Sequence, residues 1–110
     1  MTRADAERLQ DIRSAITRCL AYRDHLESHE HAPMAYDAIL RNLAVIGEAV
    51  RALPADLKRE HPGIPWASIA GLRNVVVHEY FRVDTSMIRD VVDNQLVPLL
   101  DDLSALGEGP

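Results

Sequence analysis

Apolar residues recur at intervals of three and four along most of the chain, and nowhere do they alternate as a half-buried strand would. From Asp5 to about Ser28 the stripe is Leu9, Ile12, Ile16, Cys19 or Leu20, and Leu26, which predicts an amphipathic helix. Arginines at positions 3, 8, 13, 18 and 23 accompany it. Five residues turn a helix by about 500°, so these charges spiral around it. They read as ordinary surface charge, partly neutralised by acids one turn away. A second helix is predicted over Ala35–Leu53, with Tyr36, Ile39, Leu43, Ile46, Val50 and Leu53 facing inward. Gly47 lies inside it, where glycine costs about 1 kcal/mol relative to alanine, and so predicts close approach of a neighbouring helix.

Pro54 ends the second helix. The connector PADLKREHPGIP carries three prolines and has room for one short helical turn. A third helix starts at Pro65 or Trp66 and runs through Ile69 and Leu72 into the stretch LRNVVVHEYF. The last helix spans about Asp84–Leu103, buries Ile88, Val91 or Val92, Leu96, Leu99, Leu100 and Leu103, and must kink or divide at Pro98. The expected architecture is all-α: an antiparallel bundle of four to five helices in one domain over residues 1–105, with a flexible tail at 106–110.

Composition narrows the function. Apolar residues are 47% of the 110-residue chain and aromatics only 5%, which suits a helical core. The single cysteine excludes an internal disulfide and fits a reducing, cytoplasmic setting; no apolar run is long enough to cross a membrane, and the charged N-terminus has no signal-peptide core. A net charge of −5 argues against an extended DNA- or RNA-binding face, though not against a small cationic pocket that grips one or two phosphates. His25 and His29 are four apart, with His31 nearby, yet the segment lacks the HExxH pattern and a third spaced ligand; a frayed helix end explains it better than a metal site.

The stretch at 72–81 is less easily accounted for by packing. On a helix, Asn74 and His78 share a face, while Arg73 and Tyr80 share the adjacent one. One possibility is a polar network, with Arg73 paired to an acid such as Glu48. The other is chemistry. Arginine offers a permanently charged fork for phosphate, histidine moves a proton near neutral pH, and asparagine orients a phosphate or hydroxyl. Together they suffice for metal-free RNA cleavage, but one histidine cannot easily act as acid and base in a single step. Two copies across a two-fold axis can, so such a site predicts a homodimer.

Arg73 through Tyr80 also match the RX4HXY pattern, and the chain resembles the HepT toxins of the HEPN-domain ribonucleases. The segments GEAVRAL, IPWASIAGLRN and HEYFRVD extend the likeness over roughly residues 5–105. The resemblance implies a HEPN-like dimeric bundle and a metal-independent endoribonuclease that needs no cofactor. Arg73 and His78 would then be the catalytic pair and Asn74 a supporting residue. It further implies an MntA-type nucleotidyltransferase antitoxin that silences the toxin by transferring AMP to Tyr80, placing bulk and negative charge where the RNA phosphate must sit. Arg82 and Arg89 are candidate RNA contacts, although solvated charge accounts for either equally simply. The alternative function is a non-catalytic helical partner that binds a nucleotidyltransferase or nucleotide, which the net acidity favours.

Overall fold

The computed structural model describes residues 1–74 and 85–107 and is helical throughout its ordered elements. α1 spans Arg3–Arg23, α2 Ala32–Ala52, α3 Ala55–Glu60 and α4 Trp66–Ala70. After position 84 come α5, Thr85–Val91, a π-helical turn at Val92–Leu96, and α6, Val97–Gly107. The predicted stripes are the core: Leu9, Ile12, Ile16, Cys19, Ile39, Leu43, Ile46, Val50, Ile69, Ile88, Val92, Leu96, Leu99 and Leu103 are all buried. Tyr36, Leu20, Val91 and Leu100 pack against it from its edge.

The helix ends follow local chemistry. α1 begins two residues earlier than its stripe suggests, because Thr2 and Asp5 form a reciprocal capping box. It stops at Arg23, short of the expected Ser28, and residues 24–27 and 29–31 form turns. α2 starts at Ala32, with Pro33 in the first turn where its missing N–H does no harm. The connector holds the six-residue α3. Buried Trp66 ties it down by donating from Nε1 to the carbonyls of Lys58 and His61 at 3.1 and 3.0 Å. The third helix is interrupted: α4 ends at Ala70, Gly71 forms a turn, and helix resumes at 72–74. Pro98 has the expected effect on the last helix, which passes through a π turn just before it; a wider turn accommodates the ring and its absent donor. That helix reaches Gly107, and residues 108–110 lie outside the described residues.

The arginine spiral on α1 does more than meet solvent. Arg3 pairs with Glu7 on its own helix. The next four reach other elements, alternately to either side: Arg8 Nη1 donates to the Ala52 carbonyl at 3.0 Å, and Arg13 Nη1 to the Leu103 carbonyl at 3.0 Å. Arg18 Nε donates to Asn42 Oδ1 at 3.1 Å, and Arg23 pairs with Asp93. A turn of about 140° between successive arginines puts them on opposite flanks of the buried stripe. As the number rises along α1 it falls along α2 and along the last helix, so both run antiparallel to α1. α4 packs on α2, and α5 joins α2 as well. α2 is thus the element that carries the approach to the motif.

Candidate active site

Gly47 determines where the site stands. A methyl group on it would lie 2.9 Å from the backbone nitrogen of Arg73, 3.0 Å from the Arg73 Cβ and 3.1 Å from the Ala70 carbonyl oxygen. No real Cβ tolerates the first of these, and backbone cannot step aside as a side chain can. The absent side chain lets the start of the motif lie directly on α2, as the glycine's position predicts.

One residue further along α2, Glu48 Oε1 accepts a hydrogen bond from Arg73 Nε at 2.5 Å. This is the pairing that a polar network in the stretch predicts. It uses one edge of the guanidinium; among the described residues, no other side chain hydrogen-bonds the terminal Nη1 and Nη2 groups. The Arg73 side chain is 35% exposed and that of Glu48 62%. At such exposure an ion pair is worth roughly 0–1 kcal/mol, less than a bidentate arginine–phosphate contact, so Glu48 orients the fork without closing it to an anion.

Both residues line an open depression of about 490 Å³, completed by Arg51 and Ala52. Arg51 is exposed, three residues from Glu48 on α2. The Ala52 carbonyl is occupied by Arg8, which caps the negative end of α2 with a cation. Three arginines therefore gather around the C-terminal turn of α2. Arg51 and Arg8 are the members that sequence reasoning missed; Arg51 stands one turn from Glu48 within GEAVRAL, but nothing local marks either as part of a site.

Asn74 is exposed, next to Arg73, and its backbone N–H donates to the Gly71 carbonyl at 3.0 Å. His78, Tyr80 and Arg82 lie outside the described residues. Arg89 is held by Glu27, Nη1 to Oε1 at 2.6 Å, and acts as a tether between the turn after α1 and the last helix.

The histidine segment differs from its expected geometry. Because α1 ends at Arg23, His25 and His29 do not share a helical face; His25 instead meets His31 edge to face, with ring centroids 5.8 Å apart. Among the described residues, no group of three His, Cys, Asp or Glu side chains is arranged to hold a metal ion. Cys19 is fully buried, and desolvation pushes its thiol up to about 12 against a smaller opposing effect of Arg18, so it is not a nucleophile.

Comparison with known proteins agrees with the motif. The family described as Ribonuclease HepT-like matches residues 6–106. A protein of Thermococcus cleftensis named "Probable ribonuclease HepT" is 34% identical over 105 residues, covering 90% of this chain and 92% of that protein. "Putative RNase MJ0127" of Methanocaldococcus jannaschii is 42% identical over 59 residues, 54% of this chain and 49% of that protein. The match thus spans about half the length of the Methanocaldococcus relative and nearly all of the Thermococcus one. No solved structure matches the chain at a significant level. A family match over almost the whole chain, a full-length relative at 34% identity and an all-helical fold agree: the chain belongs to the Ribonuclease HepT-like family of the HEPN superfamily.

Proposed function

We propose that this protein is a metal-independent endoribonuclease, the toxin of a HepT/MntA-type toxin–antitoxin system, acting at a site completed by two copies of the chain. The observation that carries the reading is the half-exposed guanidinium of Arg73, held by one edge to Glu48 at the mouth of an arginine-lined depression. His78 of one copy removes the ribose 2′-OH proton. The 2′-oxygen then attacks phosphorus, the P–O5′ bond breaks, and His78 of the second copy protonates the departing 5′-oxygen. Arg73 stabilises the charge that accumulates on the phosphoryl oxygens, with Asn74 orienting the same group. The products are a 2′,3′-cyclic phosphate and a 5′-hydroxyl. An MntA-like antitoxin would silence the site by joining the α-phosphorus of ATP to the Tyr80 oxygen, releasing pyrophosphate and the phenolic proton.

The test uses protein purified without its partner. It should cut RNA in the presence of EDTA and leave 2′,3′-cyclic phosphate ends, and His78→Ala should abolish cutting. A strict requirement for added metal would sink the mechanism. Mass spectrometry of the chain co-expressed with a neighbouring nucleotidyltransferase should show added AMP, lost in Tyr80→Phe. One observation favours the second reading, a non-catalytic partner of a nucleotidyltransferase: Glu48 already engages Arg73, as it would in a purely structural pair. A chain that binds the transferase yet leaves RNA intact would establish that reading instead.

A further inference from the structure

α2 is covered over one wide arc and bare over the other. Ala35, Ile39, Asn42, Leu43, Ile46 and Val50 are buried, whereas Met34, Asp37, Arg41, Val45, Glu48 and Arg51 are exposed. Met34 is 73% exposed and Val45 39%, which makes them two of the few large apolar side chains left open among the described residues. At 1.5 Å per residue this face is about 26 Å long. Its charges alternate along the helix: Asp37 negative, Arg41 positive, Glu48 negative, Arg51 positive.

That order is complementary to itself when reversed. An identical helix laid antiparallel, with the two-fold axis near Ala44 and Val45, sets Asp37 against the second copy's Arg51 and Arg41 against its Glu48. Val45 then meets Val45 near the axis. The other two antiparallel pairings follow by symmetry, so every charge on the face finds an opposite. A parallel arrangement sets each charge against its own kind. Ala38 and Ala52 stand on the same face and keep the two backbones free to approach.

We infer that the outward face of α2 is where two copies of this chain dock, antiparallel about an axis near Val45. The inference rests on the two-copy site proposed above and names the surface that builds it. It also gives Glu48 two partners. Glu48 holds Arg73 in the single chain; in the docked pair it faces the second copy's Arg41 as well. Docking thus sets a second cation beside Glu48 in each copy while Glu48 still orients the Arg73 fork, and links the assembly to the site.

The test is charge reversal read by analytical ultracentrifugation of the full chain, with circular dichroism confirming that each variant folds. Arg41→Glu and Glu48→Arg should each raise the dimer dissociation constant by about tenfold or more, since each reversal creates two like-charge contacts across the axis. The double variant R41E/E48R restores both pairs and should return to within about threefold of the native value. Asp37→Arg, Arg51→Asp and their double variant repeat the experiment at the outer pair; Asp37 lies about 16 Å along α2 from Glu48, so its single reversal cannot act through a local disturbance of the active site. A native dimer indifferent to the single reversals, or double variants that stay as weak as the singles, overturns this surface and leaves the nuclease reading standing. A monomer that cleaves RNA overturns this surface and the two-copy site but not the nuclease reading. A chain that pairs only through a bound nucleotidyltransferase likewise overturns the surface and the two-copy site.

Discussion

Arg73 can be tested with little risk to the fold. Its ion pair is exposed and worth at most about 1 kcal/mol, so Arg73→Ala should leave the melting temperature nearly unchanged. Loss of a positioned cation at developing charge typically costs 10²–10³ in kcat, and the same order of loss is expected here. Arg73→Lys keeps the charge but loses the planar fork, and it should recover only part of the rate. Single-turnover cleavage of a short RNA, with a melting curve for each variant, measures both quantities. A large fall in melting temperature for Arg73→Ala would recast the residue as structural. At Cys19 the expectation is inertness. Its burial means iodoacetamide should label it only after denaturation, with intact mass as the readout. The folded thiol titrates near 12 and the unfolded one near 9.0, so this group favours folding below pH 9 and ceases to do so as pH climbs toward 12.

Among the elements, α2 carries both the fold and the site through Gly47. Gly47→Ala improves helix propensity by about 1 kcal/mol, yet it drives a methyl group to 2.9 Å from the Arg73 backbone nitrogen. The clash is with backbone, so α4 and the residues after it must shift. The variant should melt lower than the native chain and lose activity, whereas an alanine at exposed Gly63, which meets nothing within 4 Å, should do neither. Thermal melts and cleavage assays on the pair separate the two effects. This contact was legible in advance because a glycine amid a regular apolar stripe forfeits helix propensity, a loss that a closely packed neighbour offsets. The stripes themselves were legible because period alone decides which residues face inward. The helix ends were less so, as they depend on whether a particular Thr2, Asp5 or Pro33 finds its partner. The arginine tethers were illegible. Arg8 and Arg13 reach carbonyls 44 and 90 residues away, and nothing local distinguishes them from Arg3, which merely pairs with Glu7. Of the site, the Arg73–Glu48 pairing could be anticipated, but the addition of Arg51 and Arg8 required the end of α2 to be placed.

On the scale of the whole molecule, charge and assembly set opposing demands. A chain of net charge −5 repels RNA at long range, while the arginines at the end of α2 offer a positive patch only large enough for one or two phosphates. Binding should therefore depend weakly on salt. Neutralising one or two phosphates of a single strand gives a slope of about −0.7 to −1.4 in log K against log salt, far below that of an extended nucleic-acid-binding face. Fluorescence anisotropy with a labelled single-stranded RNA and the inactive His78→Ala chain measures it, and a slope near −5 would show that the RNA follows a longer cationic track than α2 provides. Cleavage itself should respond to salt through a second route. If the site forms only between two copies, specific activity must fall in proportion to protein concentration once the chain is diluted below its dimer dissociation constant, and it must recover on concentration. Because the proposed docking face is held largely by ion pairs, raising salt should move that threshold upward even where RNA affinity scarcely changes. Activity that stays constant per chain across the monomer–dimer transition would mean that one copy carries a whole active site, and that the second proton must come from a group other than a second His78.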